Sequence, residues 1–437
     1  MNDTAKHLAR FLIQDDPELE RRIEAGIEEN RKGVGEIAIV DAAGKPVQGA
    51  TITLRQTGHE FHFGCNAFMI EQFPEAEQNA RYEEVFSDLF NLAVVPFYWS
   101  DLEPEDGALR FDRNSSPIYR RPPPDRVLDF CDKHGITPKG HPLLWHQFRP
   151  SWLSLDEMEM QRRIRRRFSE ISERYADRIK IWDVCNEAQT MTIGTPKCHM
   201  PKNHVELAFE LAAEYFPDCT RTYNDDRMWY IYSGTYSPVD LLVKSLLERA
   251  YKVNALGLQY HMFHSALKDA DKFMTPSRLF DCLDLYGSLG LPINFSEVSI
   301  ISRRDLGDGD TFQKLVTEKL YRIWFSHAAV NGIIWWNMVD GTAAYAPLGS
   351  EQGENSLRAG LVNYNFTPKP AYTAMQDLLN KTWRTNTTLD YVADGHGNTF
   401  RGFYGDYEAT VQTDAGTSRH QLKLSRNALN TITLQLT

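Results

Sequence analysis

Eight apolar, β-rich runs recur along this chain, separated by amphipathic stretches. They lie at residues 61–68, 92–98, 136–145, 179–186, 220–224, 255–261, 293–298 and 333–338. Helical spacing of apolar residues marks the segments between them, among them 158–175, 239–251 and 312–327. Strand and helix alternating eight times predict an α/β protein built as a (β/α)8 TIM barrel. Such a barrel takes about 250 residues. The chain has 437, so something further is attached.

The flanks have a different rhythm. Residues 5–31 read as one or two helices, with Asp16 before Pro17 as an N-cap and Glu18 and Glu20 in an acidic first turn. Residues 36–40 and 47–54 read as strand, turn and strand, a hairpin with no helix nearby to cover it. After Trp383 the chain turns Thr-rich, with Gly-centred turns at 395–397 and 402–405 and alternating runs at 409–413 and 431–436. These read as antiparallel strands that also lack a partner face. A lone hairpin is marginal in water, so the two sets are expected to join in one accessory β-sandwich beside the barrel. The expected organisation is a helical segment over 1–33, a sandwich from 34–57 and 384–437, and a barrel over 58–383.

Composition narrows the function classes. A net charge of −11 argues against a nucleic-acid footprint. No run of about 20 apolar residues is present for a membrane span. Residues 1–31 contain no apolar signal-peptide core. As written, the chain reads as cytoplasmic, or as secreted or periplasmic if a leader has been removed. Six cysteines lie far apart without a CxxC pair, which argues against a zinc ribbon and fits free thiols. No HExxH spacing or Gly-rich phosphate loop occurs, so neither metal nor cofactor is expected. The run Arg162-Arg163-Ile164-Arg165-Arg166-Arg167 reads as a solvated helix face.

Two glutamates carry the chemistry. Glu187 closes Trp182-Asp183-Val184-Cys185-Asn186-Glu187, and Glu297 lies in Ile293-Asn294-Phe295-Ser296-Glu297-Val298. Each comes where a buried strand ends, and strand ends form the catalytic rim of a barrel. At roughly 30 residues per strand-helix unit the two fall about three units apart, on nearly opposite sides of that rim. Facing carboxylates are the minimal equipment for glycosidic cleavage. The competing reading, surface carboxylates in salt bridges, suits them less, because their neighbours are Asn and aromatic residues. His141, Trp145 and His146 end another strand, in Gly140-His141-Pro142-Leu143-Leu144-Trp145-His146. Gln259 and His261 are two apart on a strand and point the same way. The abundant aromatics (9 Trp, 19 Tyr, 23 Phe) include candidates for stacking on sugar rings.

Over about residues 60–380 the chain resembles glycoside hydrolase family 10, the retaining endo-β-1,4-xylanases. The strings ending at Glu187 and containing Glu297 resemble its acid/base and nucleophile strings, with Ser296 where Thr is usual. Gly140–His146 is similar to its His-Thr-Leu-Val-Trp-His string. Leu256-Gly257-Leu258-Gln259-Tyr260-His261, Tyr223-Asn224-Asp225, Gly332-Ile333-Ile334-Trp335-Trp336 and Pro368-Lys369-Pro370-Ala371-Tyr372 match further strings in order, and Leu102–Gly107 fits the loop after strand two. The flanking strands resemble one branch of the family. The resemblance implies Glu187 as acid/base and Glu297 as nucleophile. It also implies sugar contacts from His141, Trp145, His146, Asn186, Asn224, Gln259, His261 and Trp336, with Trp99 and Tyr345 as further candidates.

One departure stands out. The family's strand-two string ends Glu-Asn-x-Met-Lys-Trp, and its polar residues hold the sugar two units before the cut. Here that stretch reads Val95-Pro96-Phe97-Tyr98-Trp99, with only the Trp retained. The expected activity is a retaining, endo-β-1,4-xylanase-like hydrolase acting on a polysaccharide or oligosaccharide. Its alternatives are an exo-acting or decorated-substrate β-glycosidase, and a non-catalytic sugar-binding barrel. Replacement polar groups at the altered subsite are looked for at His59, Asn66 or near Arg149.

Overall fold

The computed structural model describes residues 1–190, 199–229, 235–263, 270–393 and 398–436. Its strands, in chain order, are β1 (Lys32–Val40), β2 (Ala50–Gln56), β3 (His62–Asn66), β4 (Leu92–Pro96), β5 (Thr137–His141), β6 (Ile181–Asn186), β7 (Thr220–Asp225), β8 (Ala255–His261), β9 (Ile293–Ser299), β10 (Val330–Trp335), β11 (Asn386–Tyr391), β12 (Asn398–Phe403), β13 (Gly405–Thr413), β14 (Gly416–Leu424) and β15 (Thr431–Gln435). β3 to β10 close into a barrel, each beside its sequence neighbour, with β10 returning to β3. The eight expected runs are these eight strands.

The barrel strands are apolar because both faces are covered. Every residue of β4 and β9 is buried, as a parallel sheet wrapped by helices requires. Helices such as Glu157–Tyr175, Pro238–Glu248 and Gly309–Ser326 follow the strands. Asp156 starts the first of them by accepting from the Glu159 amide at 2.8 Å. The basic run sits on this helix, and only four of its five arginines face outward. Arg163 pairs with Asp106 and Glu159, and Arg165 with Glu214. Arg167 is buried and donates to the carbonyls of Leu143, Phe97 and Pro142. It ties the ends of β4 and β5 together, a role the surface reading of the run does not contain.

The chain divides into two compact units. One comprises Met1–Gln14, Phe63–Tyr321 and Ala329–Thr373; the other Asp15–His62, Arg322–Ala328 and Ala374–Thr437. The N-terminal region forms two helices, Asp3–Ile13 and Pro17–Arg31, and Asp16 caps the second through the Leu19 amide at 3.0 Å.

The second unit is a sandwich of two sheets, ordered β12-β1-β15 and β11-β2-β13-β14. Its core draws on both: Ile37 and Ile39 from β1, Ile52 and Leu54 from β2, Tyr391, Phe400, Tyr407, Val411, Leu424 and Leu434 from the tail. The expected hairpin does not form. β1 and β2 go to opposite sheets; the bridge from Val40 is to Pro46, in the connection before β2. Each has one apolar face, and facing each other across the core buries both at once. Pairing side by side would have left both on one uncovered surface. The tail is not wholly antiparallel either, since β15 runs parallel to β1. Of the turns expected there, 395–397 lies outside the described residues.

Candidate active site

β6 and β7 place three polar side chains at the rim. Asn186 and Asn224 pair in register, and the Asn224 amide donates to the Asn186 Oδ1 at 2.7 Å. Gly257 makes room for this, because a Cβ there would stand 2.2 Å from the Asn224 Oδ1. Glu187 follows directly at φ 51°, in the left-handed region. A non-glycine residue adopts that conformation only where the surroundings insist on it. Here the Glu187 amide donates to the Asn224 carbonyl at 2.9 Å.

One hydrogen-bonded chain links the two carboxylates. Gln259 Nε2 donates to Glu187 at 3.0 Å and to Asn186 at 3.4 Å. Asn224 Nδ2 donates to Glu297 at 3.0 Å. His261 Nε2 lies 3.2 Å from the other Glu297 oxygen, and its Nδ1 lies 2.9 Å from the Ser299 hydroxyl. Gln259 and His261 therefore share a face, as their spacing predicts, but serve different glutamates. Gln259 bonds Glu187, and Asn224 bonds Glu297.

Beneath lies a buried charge cluster. Asp183 meets Lys139 at 2.9 Å and His141 at 2.8 Å, all three side chains being 1% exposed. Burial opposes the Asp183 charge, yet the Lys139 ammonium and His141 together hold its carboxyl below the usual range. His141 Nε2 faces Glu297 at 3.9 Å.

The two glutamates differ in electrostatics. Burial, then the nearby Glu297 charge, pushes the Glu187 carboxyl well above the usual carboxylate range, with Asp226 and Asp225 adding to it. Glu187 is thus set to hold a proton, while Glu297 faces the Asn224 amide and His261. Asp225 is also raised, to about 6, by burial, though the Tyr223 hydroxyl at 2.7 Å opposes the shift.

Both carboxylates open onto one cleft of about 330 Å³. Trp145, Gln259, His261, Trp336 and Tyr345 line it with them. Trp336 stands edge-on to His141, at 5.6 Å between centroids, and Tyr345 is 85% exposed on the rim. Asn186 and Asn224 sit behind the carboxylates, and the Asn186 Nδ2 has no partner among the described residues. His146 is buried beside the cleft, its imidazole pushed down to about 4 by burial and then by His204. Trp99 faces elsewhere; its ring is buried and donates to Glu103 at 2.9 Å.

The sequence reading missed a whole wall. Tyr98, Arg120, Arg121, Gln147, Phe148, Asp226, Trp229 and Glu354 also line the cleft. Gln147 donates to Glu187 at 3.3 Å. The arginines come from the loop before the helix Pro124–His134. The signal available was a pair of arginines in front of three prolines, in a loop between a rim strand and its helix. Asn66 bonds Asn337 and Arg149 the Leu153 carbonyl, and neither lines the cleft, whereas Gln147 and Phe148 beside Arg149 do.

A model described as glycosyl hydrolase family 10 matches residues 59–378, most of the chain. The chain belongs to glycosyl hydrolase family 10. Among curated relatives, Anti-sigma-I factor RsgI6 of Acetivibrio thermocellus is 28% identical over 412 residues, covering 92% of this chain and 47% of that protein. Endo-1,4-beta-xylanase A of Caldicellulosiruptor saccharolyticus is 30% identical over 223 residues, covering 46% of this chain and 61% of that protein. Endo-1,4-beta-xylanase B of Thermotoga neapolitana is 25% identical, covering 70% and 85%. The chain spans about half the length of the first of these relatives. Native xylanase 10B from Thermotoga maritima shares the fold, with a TM-score of 0.58, 23% identity and coverage of 74% of this chain and 96% of that one.

Proposed function

We propose that this family 10 chain is a retaining β-glycosidase that cleaves β-1,4-linked xylan chains internally. The observation that carries the reading is the division of labour in one cleft. Glu187 is buried and pushed toward the protonated form, while Glu297 faces Asn224 and His261. A glycosidic oxygen is a poor leaving group and needs such a proton donor. Glu187 protonates it as Glu297 attacks the anomeric carbon and forms the glycosyl-enzyme. With its proton gone, Glu187 then acts as base for the incoming water. The free Asn186 amide is placed for a hydroxyl of the bound sugar, a contact that tightens in the transition state. The names of several relatives, endo-1,4-beta-xylanases, support the substrate class.

A non-catalytic sugar-binding role is the second reading. It is favoured by the likeness of nearly the whole chain to part of an anti-sigma-I factor. Hydrolysis of an aryl β-xyloside, followed by NMR, separates the two: the proposal expects turnover with the β-anomer released first. No turnover supports binding alone, and α-anomer release overturns retention. Retention also requires the two carboxyl groups to lie about 5–5.5 Å apart. Product sizing on a polysaccharide panel then decides internal against terminal cleavage.

A further inference from the structure

Two arginines, Arg120 and Arg121, line the cleft where a neutral sugar needs no cation. His141 faces Glu297, the Tyr98 ring lies 5.5 Å from the His141 ring, and the Arg121 guanidinium sits 3.6 Å over Tyr98. These contacts lead from Glu297 to Arg121, and Tyr98 belongs to the stretch that stands where the family's string for the glycone-side sugar would be, so the wall is assigned to that side. Arg121 has a counterion, Asp101, at 2.8 Å. Arg120 has none among the described residues. It is 3% exposed, its Nη1 donates to the Thr342 carbonyl, and its buried Nε has no hydrogen-bond partner. Its backbone is held at φ 60°, in the left-handed region. A buried charge is normally paired, because desolvation without compensation is costly. Burial, then Arg121, draws the Arg120 pKa down, which records the same imbalance.

We infer that the glycone side of this cleft takes a sugar bearing a carboxylate, as a uronic acid does, with Arg120 as its counterion and Arg121 beside it. The inference deepens the glycosidase reading and rests on it for the direction of the chain. Guanidinium groups recognise carboxylates through charge-assisted hydrogen bonds, stronger than those to neutral hydroxyls. Glu354 also lines the cleft, forms no ion pair with either arginine, and opposes an anionic ligand. Asp226, Glu187 and Glu297 line the same cleft and also oppose an anion, so the carboxylate must be met at the Arg120 and Arg121 wall itself. Arg120 also ties down the loop at Thr342, so loss of affinity alone would not distinguish recognition from structure.

The test compares a xylo-oligosaccharide carrying a glucuronic acid branch with the methyl ester of the same compound, which differs in charge. Calorimetry on the full chain reads the ratio of affinities, and kcat/KM is read in parallel. The acid is expected to bind about tenfold or more tighter than the ester, with the gap shrinking in high salt. Arg120→Gln should bring the ratio below about three and Glu354→Gln should raise it. Equal affinity of wild type for acid and ester overturns the inference, and so does an unchanged ratio in Arg120→Gln. If that variant does not fold, the wild-type ratio and Glu354→Gln still decide. Cleavage of both compounds with equal affinity leaves the glycosidase reading standing and this one fallen. Preferential binding of the acid without any cleavage does the reverse.

Discussion

The two sides of the cleft are built differently. The base is made of residues at the ends of β5 to β9, each held by a side chain from another strand: His141 by Asp183, Asn186 by Asn224, Glu187 by Gln259 across β7, Glu297 by His261. The opposite wall, with Arg120, Arg121, Tyr345 and Glu354, comes from loops. Rigid strand ends fix the reacting groups to within a hydrogen bond. Loops can be exchanged without disturbing them, so on the proposed function chemistry and substrate choice would reside in separate parts of the chain.

The sharpest way to break this comparison is to remove the base. Glu297→Ala should cost on the order of 10⁴-fold or more in kcat on every substrate. Steady-state kinetics with natural and aryl substrates check it, and surviving turnover on either would move the nucleophile elsewhere. Glu187→Ala should behave differently. It should lose about 10²–10⁴-fold on xylo-oligosaccharides, much less on dinitrophenyl glycosides, and azide should restore part of the rate on the latter. Equal losses in both would remove the proton donor from the scheme.

The pH profile sharpens the same point. Glu187 is raised by burial and by the Glu297, Asp226 and Asp225 charges. The alkaline limb of kcat/KM should therefore report its deprotonation, with activity falling as pH rises through a value well above the ordinary carboxylate one. Asp226→Asn removes one raising charge, so that limb should move to lower pH. An unmoved or upward-shifted limb would assign it to another group.

How much was legible follows the same division. The eight barrel strands announce themselves as continuous apolar runs, because parallel strands are buried on both faces. Glu187, Gln259, His261 and Glu297 were legible because a strand end imposes order on sequence, whereas Asn186 and Asn224 came only through the family resemblance. Partners across strands were not: nothing in sequence says that Gln259 serves Glu187 rather than Glu297. Arg120 and Arg121 were missed because a loop has no period to read, whereas Arg167 was misplaced because helical arginines usually face water. The sandwich was legible as a need for a partner face. Its pairing was not, since alternation in β1 and β2 marks an apolar face without naming the sheet it joins.

Below the base, the Lys139 and Asp183 pair offers a stability test. Lys139→Met leaves Asp183 buried with His141 alone, and breaking a buried pair costs about 3–5 kcal/mol. Asp183 has a lowered folded-state pKa. Its pairing therefore stabilises the fold above the unfolded value and loses effect as pH falls through the folded one. Lys139→Met should lower Tm near neutral pH, and the gap to wild type should narrow under acid. A gap that widens toward acid would contradict the pairing.

The smallest expected effect lies on the wall. Tyr345 is 85% exposed and lines the cleft, at φ 57°. A ring held in that strained backbone on an open rim buries little against its own protein. What it can bury is the face of a bound sugar. Stacking of this kind contributes on the order of 1 kcal/mol. It is made equally before and during the reaction, because the rim stands apart from the carboxylates. Uniform binding of this sort sets KM and leaves kcat alone. Tyr345→Ala should therefore raise KM roughly three- to tenfold on long oligosaccharides with kcat unchanged, and do less on an aryl xyloside too short to reach the rim. Tyr345→Phe should keep the wild-type values. A fall in kcat comparable to that of Glu187→Ala would place Tyr345 in the reacting assembly and erase the distinction between base and wall.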